Sequence, residues 1–488
     1  MTGYFLNTTL VTVTGGCPSA TNATAGQLFA LFHYASGNIA RRILDGNKAT
    51  AKLLVAHSRG GVSVERISCE ALLRAYAVGS PVADIERGGT PDDIIRAELL
   101  KIGVLTDNSV SIRNISWLGM HLINPSVVPF SPGKLLLATS TSWNLAGGVY
   151  SADLEFAWID ISPLKAGEGH IFQTMLLSAA CQSDMGVSCQ RLGVANHTRA
   201  RLSSPPAPRV LGQDVRLLPV GGRTGPPRMF VQFSVMPHFT QPFNPGYRAS
   251  HVQMGAAFLA VSANGTLVYD ELYNGLRLQE GDGSDQKNFV PFVYTNGSMQ
   301  EVLLIQRINP LRVVAMDRER HASDAAAGRG SSYLMPLKEV SAAPFVRLGW
   351  DHGEIRGGTP ALPYCMPDGS PAYLAFFHSS RTLPGSTMRT YFMGAFAFSS
   401  HAPFLLLAVS RQPLVHPQLY TGPWSAVKAR GIDYTVFPSS FYFDCGAQLS
   451  DPGQCDRIVL TVGFQDLHGL AMLLSAAEVV RAMEPVAA

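Results

Sequence analysis

Short phrases that recur along the last three quarters of the chain, together with the stretches that follow them, supply more cations than carboxylates. The acidic residue of interest is Asp214, and the cations are Lys287, Arg307, Arg312, Arg356 and His378. Ammonium and guanidinium groups make strong charge-assisted hydrogen bonds with phosphate oxygens. An excess of cations over carboxylates therefore favours a site for a phosphate-like anion, with one acid beside it.

Each phrase begins with a short polar or glycine-proline element, continues as an apolar run rich in β-forming residues, and ends in a turn. Five such units at intervals of roughly 70–90 residues are typical of a β-propeller whose blades have diverged. The five copies are NPSVVPF (124–130), QDVRLLPV (213–220), KNFVPF (287–292), RGGTPA (356–361) and VFPSSFYF (436–443).

A propeller places the innermost strand of every blade around one axis, so polar residues that are far apart in sequence converge there. The sequence therefore predicts an all-β, five-bladed propeller over residues 116–488. The residues expected to line its central funnel are Asn124, Asp214, Lys287, Arg356 and Asp466.

The first 115 residues have a different pattern. Apolar residues recur at helical spacing over 25–44, 65–78 and 91–104, and the last segment opens with a proline and two aspartates. This spacing predicts a helical N-terminal segment over residues 1–115.

Composition excludes several classes of protein. The chain has 488 residues, of which 46% are hydrophobic and 15% charged, with a formal net charge of +3. A globular protein is expected, and a nucleic-acid partner is not, because no basic stripe is present. No apolar run is long enough for a transmembrane helix, and the first residues lack the pattern of a signal peptide.

A set of phrases in the fourth and fifth units carries a resemblance to a known family. Gly357-Gly358-Thr359-Pro360 precedes a strand that ends near His378, and Tyr391 then leads to Gly394-Ala395. In this order the phrases resemble those of the inverting β-mannoside phosphorylases and their mannosyltransferase relatives. Upstream phrases match the same family over about 360 residues: Asn124-Pro125, Gly212 to Arg216, and Lys287 to Phe292.

The resemblance implies inverting cleavage or synthesis of β-mannosides, with phosphate, mannose 1-phosphate or a nucleotide sugar as partner. No cofactor is expected beyond this co-substrate, and no metal is expected, because no cluster of His and Asp has the spacing of metal ligands. The resemblance also implies Asp214 as the proton donor, although Gln213 and Val215 stand where the family has glutamate and proline. The residues expected to contact substrate are Asn124, Arg216, Lys287, Asn288, Arg307, Asp351, Arg356, Gly357, Gly358, His378, Tyr391 and Asp466.

Two other functions are compatible with these residues. A five-bladed glycoside hydrolase needs a second carboxylate about 6.5–9.5 Å from the first, and Asp351, Glu354 and Asp466 are candidates. A non-catalytic glycan-binding propeller needs neither of these two carboxylates. Individual residues also have purely structural interpretations: Asp214 could pair with Arg216, and Glu354 with Arg356.

The sequence gives mixed evidence about the cellular compartment of the protein. Sequons for N-glycosylation occur at six asparagines and favour a secretory lumen, although no signal peptide is visible: Asn7, Asn22, Asn114, Asn196, Asn264 and Asn296. Seven cysteines include two close pairs, Cys181 with Cys189 and Cys445 with Cys455, which could close small loops in an oxidising compartment. Scattered free thiols in the cytosol are the alternative.

Expression through a eukaryotic secretory pathway tests the compartment. If the sequons are used, endoglycosidase treatment should lower the mass of the product, and the close cysteine pairs should resist alkylation until a reductant is added. Free reaction of all four thiols in the native protein would favour the cytosol.

Overall fold

A computed structural model gives the fold. It describes residues 7–14, 40–41, 50–57, 64–68, 114–120, 123–131, 134–145, 149–160, 191–192, 212–221, 228–236, 251–261, 267–278, 287–297, 299–328, 333–382, 389–415, 419, 435–444, 456–464 and 468–486.

The chain divides into two compact units. The first comprises residues 1–106, 382–390 and 416–434, and the second the remainder. In the first unit, four strands form one sheet in the order β2-β3-β1-β4, in which β1 pairs antiparallel with β3 and parallel with β4. They are β1 (Asn7–Thr14), β2 (Ala40–Arg41), β3 (Thr50–His57) and β4 (Val64–Ser68).

The helices predicted for this region are not shown. Residues 40–41 and 64–68, which fall in or at the edge of two predicted helices, are strands, because pairing with β3 and β1 overrides helical spacing. The rest of both segments, and all of 91–104, lies outside the described residues. The proposed boundary between residues 115 and 116 stays a prediction.

The second unit contains five sheets in a β-propeller arrangement. Its first strand, β5 (Asn114–Met120), belongs to the fifth sheet. The first sheet consists of β6 (Ile123–Ser131), β7 (Lys134–Leu145), β8 (Val149–Asp160) and β9 (Arg191–Leu192). The second consists of β10 (Gln213–Val220), β11 (Arg228–Val235), β12 (Gln253–Val261) and β13 (Leu267–Tyr273).

The third sheet has the order β14-β18-β17-β16-β15, and helix α1 (Arg318–Ala326) connects its β17 to β18. Asp317 caps this helix by accepting a hydrogen bond from the Arg320 backbone N–H. The strands are β14 (Gly275–Leu278), β15 (Val290–Asn296), β16 (Met299–Arg307), β17 (Arg312–Met316) and β18 (Leu334–Ala342).

The fourth sheet contains β19 (Arg356–Gly357), β20 (Leu362–Cys365), β21 (Pro371–Thr382), β22 (Arg389–Ser399) and β23 (Leu406–Ser410). The fifth contains β24 (Val436–Phe443), β25 (Arg457–Phe464) and β26 (His468–Ser475). Helix α2 (Ala476–Arg481) then leads to β27 (Met483–Pro485), which adds to the edge of the fourth sheet.

The all-β propeller prediction is confirmed, and each of the five recurring phrases starts one sheet of the ring. The inner strand of the fifth sheet is buried throughout, and that of the second sheet is buried over its middle four residues. Two apolar clusters fill the spaces between sheets one and two and between sheets two and three. None of the helices among the described residues is long and apolar enough to cross a membrane.

The ring closes at the fifth sheet in two ways. Strand β5, from the start of the unit, pairs antiparallel with β26 near its end and completes that sheet. A seam of hydroxyls also joins the fifth sheet to the first: Ser440 Oγ accepts from the Val127 N–H at 2.6 Å, and Ser439 Oγ and Thr461 Oγ1 donate to the Pro125 carbonyl at 2.5 and 2.7 Å. Chain closure and side-chain bonding therefore hold the same junction.

Replacing Ser440 with alanine tests the seam. The change leaves the buried N–H of Val127 without its acceptor, so the free energy of unfolding should fall by about 1–3 kcal/mol in chemical denaturation. Ser370→Ala is the matched control, because its hydroxyl bonds Asp368 at the surface and its loss should cost less than about 0.5 kcal/mol. Equal losses for the two variants would contradict a role for the seam in closing the ring.

Candidate functional site

The first three inner strands begin with the same unusual backbone conformation. Asn124, Asp214 and Asn288 have φ angles of 47°, 54° and 65°, and only Phe404 shares a positive φ among the other non-glycine residues described. Asparagine and aspartate tolerate this left-handed region better than other side chains. At Asn124 and Asp214 the strand also shifts register against its neighbour, which marks a bulge. The bulges at the starts of these strands therefore determine the positions of the Asn124 and Asp214 side chains at the centre of the ring.

Arg216 connects four of the five sheets. It is completely buried, and its guanidinium donates to the carbonyl oxygens of Gly357 (3.2 Å) and Gly358. It also donates to Asn288 Oδ1 at 3.3 Å and lies over the Phe437 ring, 5.4 Å from its centroid. Burial lowers the pKa of Arg216 to about 10 against the opposing effect of Asp214, so the group stays charged at neutral pH. Arg216 therefore orders the site from within the protein, and its nitrogens are bonded to protein acceptors.

Asp214 stands beside Arg216 at the same bulge. Its half-buried carboxylate accepts a hydrogen bond from Asn124 Nδ2 at 2.5 Å and another from Ser234 Oγ at 3.3 Å. Its backbone carbonyl accepts from Arg216 at 3.1 Å. These contacts hold the carboxyl group in one orientation, which a group that transfers a proton to a bound molecule requires.

His378 lies among three basic residues. Burial is the main cause that holds its pKa well below the usual range, and Arg216, Arg356 and Lys287 lower it further. A backbone hydrogen bond with Gly357 acts in the opposite direction.

Several contacts place these groups together. Arg216 and His378 pack on the same Phe437 ring, and Arg356 lies opposite His378 in the paired strand. Lys287 precedes Asn288, which accepts a hydrogen bond from Arg216.

The ring of His378 is enclosed by aromatic groups. It packs against Phe437 with the ring centroids 4.5 Å apart and stacks on Tyr391 at 6.0 Å. Burial among these rings, together with the nearby cations, favours the neutral imidazole over the imidazolium.

Two glycines allow the fourth sheet to approach the centre. A Cβ atom on Gly357 would lie 2.1 Å from the Asn288 carbonyl oxygen, and one on Gly358 would lie 2.7 Å from the Phe376 carbonyl oxygen. Only glycine therefore fits at positions 357 and 358, whose own carbonyl oxygens accept hydrogen bonds from the Arg216 guanidinium.

Several of the predicted residues are exposed to solvent or lie away from the inner strands. Arg356 and Lys287 are exposed, and Arg356 pairs with Glu354 at 2.6 Å. Arg307 is exposed at the end of β16, and Asp351 is also exposed. Arg312 pairs with Glu339 at 2.6 Å in the outer part of the third sheet. Asp466 lies outside the described residues, as do both cysteine pairs.

Sequence reasoning missed two contributors to the site. Ser234, on the second strand of its sheet, holds Asp214, and Phe437 covers both Arg216 and His378. Phe437 lies in the recurring phrase of the fifth unit, so the repeat itself could have indicated it. Ser234 carries no sequence signal, because its role depends on strand pairing.

Comparisons with known proteins reach only distant structures. No protein-family model matches the chain, and no curated protein matches it. Among solved structures, the chain is similar to a mannose phosphorylase from Leishmania mexicana in complex with phosphate ion, at 10% identity and a TM-score of 0.41, over 78% of this chain and 93% of that one. A GDP-Man-dependent mannosyltransferase from the same organism gives 12% identity and 0.40, over 78% and 94%.

A beta-1,2-mannobiose phosphorylase from Listeria innocua gives 12% identity and a TM-score of 0.36, over 76% of this chain and 93% of that one. The structural neighbours are thus carbohydrate-active propeller enzymes. Identities and scores this low assign no activity, so function must be argued from the residues of the site.

The contrast between Arg216 and Arg356 gives a test of the site. Arg216→Met removes the donors of three buried acceptors, so the free energy of unfolding should fall by about 3–5 kcal/mol in chemical denaturation. Arg356→Met removes an exposed ion pair and should cost less than about 1 kcal/mol. A smaller loss for Arg216→Met than for Arg356→Met would show that the buried guanidinium does not hold the inner strands together.

Proposed function

We propose that this protein is an inverting glycosyl-transfer enzyme acting on β-mannosides, with inorganic phosphate, mannose 1-phosphate or a nucleotide sugar as the second substrate. The observation that carries the proposal is that a fixed carboxyl group, Asp214, lies two residues from Arg216, which packs on the same Phe437 ring as His378. Arg356 lies opposite His378 in the paired strand, and Lys287 precedes Asn288, which accepts a hydrogen bond from Arg216. The order of the five sequence phrases supports the β-mannoside class.

The charges favour a phosphate-bearing partner over water. Arg216 is committed to protein acceptors, whereas Lys287 and Arg356 are exposed and can bind anionic oxygens. Glu354, the partner of Arg356, is exposed as well, so a dianion can compete with it at low energetic cost.

The chemistry needs a single proton donor. In phosphorolysis, a phosphate oxygen attacks the anomeric carbon on the face opposite the leaving group. The glycosidic bond breaks with its electron pair going to the leaving oxygen, which takes the proton of Asp214. The products are an α-sugar 1-phosphate and an acceptor with a free hydroxyl, and the reverse reaction returns the proton to Asp214. Asn124 and Ser234 keep the carboxyl oriented throughout.

Hydrolysis would need a second carboxylate to activate water. Of the described candidates, Asp351 is exposed and Glu354 is paired with Arg356, so neither is held opposite Asp214 by a buried contact. The described part of the site therefore supports transfer to or from phosphate better than hydrolysis.

Replacing Asp214 tests the proton donor. Asp214→Asn should lower kcat with natural leaving groups by roughly 10²–10⁴-fold and leave sugar affinity nearly unchanged, because only proton transfer is lost. Turnover is measured as release or consumption of phosphate over β-mannosides, mannose 1-phosphate and GDP-mannose. Asp270→Asn is the matched control, because Asp270 lies in the outermost strand of the same sheet and pairs with Arg228.

Three outcomes would contradict the proposal. Wild-type turnover in Asp214→Asn would remove the donor assignment. Sugar release that is independent of phosphate and of a nucleotide sugar would indicate a hydrolase. Sugar binding without turnover of any of these substrates would indicate a glycan-binding propeller.

A further inference from the structure

The imidazole of His378 has an unusual set of neighbours. The side chain is only 4% exposed, and Nδ1 is buried without a hydrogen-bond partner. The imidazole bonds the Gly357 backbone, which favours protonation. If that bond uses the single proton of the neutral ring, Nδ1 keeps a lone pair and can only accept.

Among the described residues, the charged groups that act on this ring are cationic. Arg216 acts on it from the second sheet, Lys287 from the start of the third, and Arg356 from the strand paired with its own. Tyr391 stacks on it from the neighbouring strand, and Phe437 on the fifth sheet carries no charge. In the unliganded protein, a proton on His378 is therefore opposed by three positive charges at once.

A bound dianion reverses this balance. Two negative charges held by Lys287 and Arg356 cancel the repulsion that those cations exert on the imidazole. Protonation also turns Nδ1 from an unpaired acceptor into a donor. Both effects favour the imidazolium in the complex, and linkage requires that the proton then strengthens anion binding equally.

We propose, building on the function proposed above, that binding of a dianion at Lys287 and Arg356 is coupled to the uptake of one proton by His378. The site then takes up a phosphate group together with a proton. Its affinity for the anion falls as pH rises through the range between the pKa of the free imidazole and that of the complex.

Sulfate is the appropriate probe, because it remains a dianion over the whole range and does not itself titrate. Calorimetry from pH 5 to 8 should show the Kd for sulfate rising by up to about tenfold for each pH unit in that window. Titrations in two buffers with different ionisation enthalpies should show uptake of about one proton for each sulfate. Inorganic phosphate should compete with sulfate for the site.

Variants assign the proton to His378. In His378→Gln the Kd for sulfate should become independent of pH and proton uptake should be lost. His352→Gln is the matched control, because His352 is a second buried histidine of the same region, 5% exposed, that faces Arg381 in place of Lys287 and Arg356. It should keep the wild-type pH dependence.

A measurement on the wild-type protein covers the case in which His378→Gln does not fold. The ¹⁵N resonances of the His378 ring should move from neutral to imidazolium values when sulfate is added near pH 6.5. Sulfate binding with no pH dependence, or with unchanged ring resonances, would overturn this proposal and leave the proposed function intact. Failure of both sulfate and phosphate to bind would overturn both.

Discussion

The buried guanidinium of Arg216 is the interaction on which the centre of the propeller depends. A charge without contact with water is tolerated only when its donors are satisfied, and here they are satisfied by carbonyl and amide oxygens from its own strand, the third sheet and the fourth. The free-energy cost of burying the charge is thus offset only if these strands bring their acceptor oxygens within hydrogen-bond distance of the guanidinium. The same residue that completes the hydrogen bonds of the inner strands also fixes the spacing of the groups around the funnel.

This arrangement restricts the backbone as well as the side chains. The carbonyls of Gly357 and Gly358 can reach Arg216 only because neither residue has a Cβ, and Asn288, whose amide oxygen accepts from Arg216, has a left-handed φ. Similar close approach occurs at Gly463, where a Cβ would overlap the side chain of Asn124. Strained or crowded backbone therefore concentrates at the candidate site, where the hydrogen bonds compensate for it.

The sequence predicted the propeller because its signal is repeated: a polar element followed by an apolar run occurs in each of the five sheets. The roles of individual residues were harder to predict. Arg216, expected to contact substrate, is enclosed by protein acceptors, and Ser234 contributes through strand pairing that no local pattern encodes. Within the first 115 residues, where helices were predicted, residues 40–41 and 64–68 are strands, because pairing between distant segments outweighs the local spacing of apolar residues.

The cations of the site differ in how far their hydrogen-bonding groups are already used by the protein. Arg216 is buried and its donors are used, so removing it disturbs the protein before any ligand is present. Lys287 and Arg356 are exposed at the same centre, and their charges can be used by a ligand without leaving buried groups unpaired. His378 lies between these two sets and responds to both. A neutral imidazole at that position lets the rigid inner cation and the accessible outer cations coexist, because an additional permanent charge there would repel all three. The proposed anion would relieve this repulsion, which is why its binding and the protonation of His378 are expected to be linked.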